Sequence, residues 1–392
     1  MPTPSDRLRS VPRSATYAVL DLVRTLRSQG HDVVDLGGGE PDFDTPRHIS
    51  DEAVAAIRGG LTHYTPSRGL PELLEAVGEK LAKDNDVLVD PATDIVVTPS
   101  AKHALFVSLL AVLDPGDEVV VPTPSWVSYA AMAGMLGARP SFVELGSRSG
   151  FRLTRAALDR ALTPRTKAVL VNTPNNPTGR VLDHDELSAL MSFAVDNDLF
   201  VVSDEIYEKI RYVDRRHVSP AALPGGSVRT LTVNGFSKAH AMTGWRLGYV
   251  AGPTEVIGEL LKAQQHTVGC AGSFVQRGGV AALTGSPGPV ETMVAEYTAR
   301  RDLLVSRLSR LPGVDCAAPE GALYVFPDIT GVGLGDSAAF TTWLLERAQV
   351  AVTPGSAFGP GGEGHVRLSF ANSLPVLDEA LDRIERALHA SR

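Results

Sequence analysis

Cysteine is nearly absent: Cys270 and Cys316 are the only two in 392 residues. Two thiols cannot build a disulfide framework, and a chain of this size does not need one. No apolar run is long enough to span a bilayer. The polar stretch Met1 to Ser10, with Pro2 and Pro4, lacks the apolar core of a secretory signal. The expectation is a cytoplasmic protein without a membrane partner. Basic residues are in the minority, 37 Lys and Arg against 45 Asp and Glu, for a formal net charge of −8. That balance leaves no electrostatic footprint for nucleic acid and no basic cluster for anionic lipid. The 10 histidines show no paired spacing of a zinc site, so no metal is expected. There is no Gly-x-Ser-x-Gly elbow, and Gly37-Gly38-Gly39 lacks the spacing of a dinucleotide fingerprint. No period of roughly 20–50 residues recurs, which excludes a solenoid.

What is present is an ordinary globular composition, 43% apolar and 21% charged, over a length that suits two domains. Ile95 to Thr98, Glu118 to Val121, Lys167 to Val171, Leu199 to Val202 and Thr230 to Val233 read as short strands. Helical patterns lie between them. Asp183, with Glu186 three residues on, is a capping-box start, and Pro71 opens an amphipathic run to Lys80. Such alternation predicts an α/β fold with a mainly parallel sheet wrapped by helices. In such sheets ligands sit outside the carboxyl ends of the strands. Beyond residue 286 the pattern changes. Val294 to Leu311 reads as a long charged helix, Leu323 to Phe326 and Val366 to Phe370 as strands, and Leu377 to Leu388 as a terminal amphipathic helix. The expected organisation is a large domain, 47–285, and a small α+β domain, 286–392, joined in space by an N-terminal arm, 1–46. Gly359 to Gly364 reads as a surface loop.

Polar clusters follow the predicted strand ends. Lys238 lies in Gly235-Phe236-Ser237-Lys238-Ala239-His240, with small neighbours on its N-terminal side and Arg246 eight positions on. A neutral lysine amine attacks a carbonyl to form a Schiff base, and an arginine fork suits a phosphate. A carbonyl and a phosphate on one rigid ring describe pyridoxal 5'-phosphate, which is therefore the expected cofactor. Asp204, in Ser203-Asp204-Glu205-Ile206-Tyr207, has the chemistry to pair with a protonated pyridine nitrogen. Taken alone it reads equally as a helix N-cap. Asn176-Pro177-Thr178-Gly179 alone reads as a turn. Ser100-Ala101-Lys102 opens a helix after a strand, an arrangement that offers N–H groups to a phosphate.

In this order, from about Ser14 to Arg367, the motifs resemble the class I aminotransferases of the fold-type I pyridoxal-phosphate enzymes, the aspartate aminotransferase superfamily. The resemblance implies a seven-stranded-type sheet in a cofactor-binding large domain. It implies that Lys238 is the imine lysine and proton carrier, Asp204 the partner of the ring nitrogen, and Tyr207 and Asn176 the donors to the ring's phenolic oxygen. Ser100, Ala101, Lys102, Ser237 and Arg246 would surround the phosphate. Tyr64 would reach the phosphate of a neighbouring subunit, which implies a homodimer with shared active sites. Gly235 stands where the family often has a serine, so one phosphate hydroxyl is missing. Trp126 would stack on the ring. Arg367 would grip the substrate α-carboxylate together with the backbone of Gly39, beside Trp126 and Asn176. Ser14-Ala15-Thr16 and Lys102 resemble positions that, in one bacterial subgroup, meet the side-chain carboxylate of aspartate or glutamate. The implied activity moves an amino group between an L-amino acid, aspartate or glutamate, and a 2-oxo acid in ping-pong half-reactions. β-Elimination, cyclisation and oxidation of an amino acid share the first steps. A non-catalytic sensor of this fold usually carries an added DNA-binding domain, for which the segment before the fold is too short.

Overall fold

Seven strands form one sheet in the computed structural model, which describes residues 2–3, 5–9 and 11–390. Expectations touching Met1, Pro4 and Ser10 in the N-terminal stretch, and Ser391 and Arg392 at the end of the small domain, lie outside the described residues. Across the sheet the order is Ile95–Thr98, Gly248–Ala251, Thr230–Gly235, Phe200–Asp204, Thr166–Asn172, Glu118–Thr123 and Arg139–Glu144. All neighbours pair in parallel except Gly248–Ala251, which runs antiparallel to both of its partners. Six strands are almost wholly buried, as expected where helices cover both faces; the edge strand Arg139–Glu144 is partly open. Helices Arg47–Arg58, Pro71–Asn85 and Ser273–Thr284 share one apolar core with the sheet, and Ala101–Val112 lies in another.

Antiparallel pairing of one strand has a consequence for the site. Gly248 is in register with Thr98 and with Gly235, so the start of this strand lies at the carboxyl edge of its neighbours. Arg246, two residues before Gly248, arrives at the same edge as the residues that follow Thr98, Thr123, Asn172, Asp204 and Gly235.

The predicted helix starts hold where a local signal exists. Asp183 caps His184–Asp196, and Glu186 returns the bond to the Asp183 backbone. Other bounds shift. The helix opened by Pro71 continues past Lys80 to Asn85, because Lys80 turns inward rather than marking a solvated end. The long charged helix spans Gly288–Leu308, with its proline in the first turn, where the missing N–H costs nothing. Tyr324–Val325 and Thr353–Pro354 flank Val366–Ser369 in an antiparallel three-stranded sheet. Val34–Asp35 pairs in parallel with Val350–Ala351, tying the start of the chain to its last third. The stretch 359–364 is not simply a surface loop: Gly362 and Gly364 are buried, and a Cβ on Gly362 would meet the Gly355 carbonyl oxygen at 2.2 Å. No helix among the described residues is long and apolar enough to cross a membrane.

Lys80 belongs to a buried polar network that sequence patterning did not reveal. Its ammonium contacts Glu208 and donates to Asn85 Oδ1 at 2.8 Å, while Asn85 Nδ2 donates to Glu208 at 2.8 Å. His217 Nε2 lies 2.8 Å from Glu205, which also accepts from Ser203 and Ser219. Burial alone would raise the Glu208 carboxyl, but Lys80, His217 and the Asn85 amide outweigh it and hold the group at about 2. Its stabilisation is present above the unfolded value of 4.5 and is lost as pH falls through about 2. Lys80→Met leaves Glu208 buried without its cation and is expected to cost about 3–5 kcal/mol at neutral pH. Denaturant unfolding measures this; an unchanged midpoint would show that the pair contributes nothing.

Candidate active site

The carboxyl edge gathers most of the expected residues, though not Tyr64. Lys238 follows the strand Thr230–Gly235, and its Nζ donates to the carbonyl oxygen of Gly39. Its ammonium also lies 5.9 Å from the centre of the Tyr207 ring. Burial lowers its proton affinity, partly opposed by Tyr324 and Glu40, so the neutral, nucleophilic amine is more populated than in water. Tyr207 Oη lies 2.8 Å from Tyr324 Oη. The Arg367 guanidinium sits 4.3 Å over the Tyr324 ring and 5.0 Å over Phe358. Arg367 donates to Asn176 Oδ1 at 2.9 Å and to the Gly37 carbonyl at 2.6 Å, while its Nε is buried with no partner among the described residues.

Asp204 ends its strand and is buried. One oxygen accepts from the Tyr129 hydroxyl at 2.7 Å and the other from the Ile206 N–H at 3.2 Å. Burial pushes the carboxyl up to about 6, against the pull of those two bonds. Asn172 bridges neighbouring strand ends: its amide donates to the Asp204 carbonyl, and its oxygen accepts from the Asn176 N–H. Tyr129 meets Trp126 edge-on at 5.4 Å between ring centroids. The Lys102 ammonium lies between two rings, 4.9 Å from Trp126 and 5.1 Å from Tyr17. Tyr17 is on the helix Ala15–Ser28, which begins at the Ser14-Ala15-Thr16 run, where the two hydroxyls are 2.9 Å apart.

The strand-to-helix turn at Ser100 is tight. Ser100 has φ 103°, a strained setting for a residue with a Cβ, and its hydroxyl accepts from the His103 N–H. Gly248 packs under it: a Cβ there would sit 2.3 Å from the Ala101 nitrogen. Arg246, with φ 55°, is exposed and donates to the Thr243 carbonyl, and its charge reaches Lys238. Ser237 is buried beside them. Tyr64 is not brought to this cluster; its side chain is 95% exposed. Sequence reasoning missed Tyr129, Asn172 and Tyr324. Asn172 had a signal, as a polar residue closing an apolar strand. Tyr129 had a weaker one, three positions after Trp126, and Tyr324 had none.

An amine, an acid, paired phenols and an arginine meet at the carboxyl edge of this seven-stranded sheet, as expected for the fold-type I class of enzymes. The chain matches the family model described as aminotransferase class I and II over residues 31–384. It is 51% identical over 384 residues to an aspartate aminotransferase of Musicola paradisiaca, covering 98% of this chain and 96% of the relative. A solved aspartate aminotransferase from Thermus thermophilus with maleate is 43% identical with a TM-score of 0.94, covering 99% of this chain and 100% of that one. An aromatic aminotransferase from Pyrococcus horikoshii OT3 is 44% identical with a TM-score of 0.90, covering 96% and 99%. The chain belongs to the class I and II aminotransferases, and it moves an amino group between an amino acid and a 2-oxo acid.

The family implies pyridoxal 5'-phosphate, and the donor set here fits it. A half-buried amine donates to a carbonyl oxygen, a buried acid takes its hydrogen bonds from a phenol and a backbone N–H with the Lys238 charge nearby, and a helix N-terminus and an arginine share one edge. Asp204 also sets a test of stability. Its folded value of about 6 exceeds the unfolded 3.8, so the stability tied to its proton is full below 3.8 and lost as pH rises through 6. In the cofactor-free protein, Asp204→Asn is expected to stabilise by about 1–3 kcal/mol at pH ~8, with the gain vanishing in acid. Denaturant titrations across pH check this; a pH-independent difference would contradict it.

Proposed function

We propose that the chain transaminates L-aspartate or L-glutamate with pyridoxal 5'-phosphate held at this edge. The observation that carries the substrate reading is Lys102, an ammonium set between Tyr17 and Trp126 on the helix whose first residue, Ala101, packs against Gly248. With Arg367 for the α-carboxylate, it gives a second cation for a second carboxylate. The Thermus thermophilus relative solved with maleate, a dicarboxylate, supports this choice.

When bound, the cofactor supplies an electron sink for the bond broken at the substrate α-carbon. Lys238, its proton affinity lowered by burial, carries that proton. Arg367 orients the amino acid by its carboxylate. Asp204, fixed by Tyr129 and Ile206, would pair with the ring nitrogen, and Tyr207 and Asn176 would donate to the phenolic oxygen. Ser100, Ala101, Ser237 and Arg246 would hold the phosphate. Tyr64 serves the partner's phosphate in a homodimer; its near-complete exposure suits that role. We also propose that 47–285 and 286–392 are two domains, with the N-terminal arm joined to the second through the Val34–Asp35 pairing. A second reading, an aromatic amino donor, draws on the Tyr17 and Trp126 rings and on the Pyrococcus relative.

A panel of amino acids added to the cofactor-loaded enzyme tests the proposal. L-Aspartate and L-glutamate are expected to change the cofactor absorbance fastest; an absorbance that ignores every amino acid would sink the reading. Lys102→Ala should lower kcat/KM for L-aspartate about tenfold and spare L-phenylalanine. Equal losses for both would remove Lys102 from selectivity. Arg367→Ala should weaken all amino acids by roughly 2–5 kcal/mol. A KM that stays put would argue against that contact.

A further inference from the structure

Tyr324 contacts neither substrate nor cofactor in the proposed reaction, yet it meets Tyr207, Arg367 and Gly39. Its hydroxyl lies 2.8 Å from that of Tyr207, its ring lies 4.3 Å beneath the Arg367 guanidinium, and a Cβ on Gly39 would sit 2.3 Å from its Oη. Tyr207 and Tyr324 are 3% and 1% exposed. We propose that Tyr324 is a positioning residue for the reaction: its hydroxyl donates to Tyr207 and so commits the Tyr207 proton to the phenolic oxygen of the cofactor. The inference rests on the proposed function, in which Tyr207 is a donor to that oxygen.

A phenol has one proton to give and lone pairs to accept with. Two hydroxyls 2.8 Å apart share one of their two protons between them. Once Tyr207 spends its own proton on a third oxygen, the shared proton must come from Tyr324. Burial, with the Tyr324 oxygen alongside, raises the proton affinity of Tyr207 well above that of a free phenol, so Tyr207 stays protonated and remains a donor. A hydroxyl that accepts a hydrogen bond becomes a better donor, because successive bonds polarise one another. The relay Tyr324 to Tyr207 to cofactor oxygen therefore favours the anionic form of that oxygen. The arrangement is rigid: Tyr324 is pinned on one face by Arg367, and position 39 admits only glycine beside its hydroxyl. A ring that merely filled the core would be served as well by phenylalanine.

Tyr324→Phe keeps the ring and its face towards Arg367 and removes the hydroxyl. The readout is the midpoint of the pH-dependent absorbance change of the cofactor-loaded enzyme, without substrate. The midpoint is expected to rise by about half to one pH unit, the worth of one hydrogen bond. In a Tyr207→Phe background, adding Tyr324→Phe is expected to move it no further. An unmoved midpoint in the single variant, or a full second shift in the double variant, overturns the inference. Placing 3-fluorotyrosine, a stronger donor of nearly the same shape, at position 324 moves the midpoint down; an upward or absent shift overturns it too, even where Tyr324→Phe fails to fold. A wild-type enzyme without a cofactor absorbance would overturn the proposed function itself. A wild type that titrates, matched by Tyr324→Phe, overturns only the role of Tyr324.

Discussion

A half-buried lysine amine and a buried carboxylate are held at one sheet edge with no ion pair of their own among the described residues, and the rest of the site depends on that constraint. Lys238 gives its hydrogen bond to a backbone carbonyl, and Asp204 takes its bonds from a phenol and a backbone N–H. Neither set of partners cancels a charge. Burial therefore shifts both groups towards their neutral forms, the amine down and the acid up to about 6. Such shifts are what a nucleophilic amine and a proton-sharing acid require, and they cost folding stability. A parallel sheet buried on both faces, with more than one apolar core around it, is the kind of scaffold that tolerates the cost.

The turn after the strand Phe200–Asp204 divides its side chains between two tasks. Asp204 and Tyr207 join the site, while Glu205 and Glu208 enter the network of Lys80, Asn85 and His217. Glu205, Glu208 and His217 lie close enough to suggest a metal site. Their atoms are already engaged, by the Lys80 ammonium, the Asn85 amide and the hydroxyls of Ser203 and Ser219. The ammonium stands in the place a cation would take. This network anchors the turn from behind, so Asp204 and Tyr207 are carried on fixed backbone.

Much of this was legible from local signals. Strands rich in valine and isoleucine, the Asp183–Glu186 box and the polar residues closing each strand were read from spacing alone. The candidate residues other than Tyr64 then converge at the predicted edge. What stayed hidden depends on tertiary pairing. Lys80 looks like a solvated helix residue until Glu208 is brought to it from 128 positions away. Tyr324 looks like one more apolar residue in a short strand until Tyr207 and Gly39 close around its hydroxyl. The long charged helix begins at Gly288 rather than Val294, with a proline in its first turn, where the missing N–H costs nothing. Tyr64 is almost fully exposed and takes no part in its own chain's cluster, and the role proposed for it needs a second subunit.

The central claim is that the amine of Lys238 is the group that bonds covalently to the cofactor. Borohydride reduction of the cofactor-loaded enzyme, followed by peptide mass mapping, tests it most directly. The account predicts a pyridoxyl adduct on the peptide that contains Lys238. An adduct on another lysine, or none at all, would contradict it.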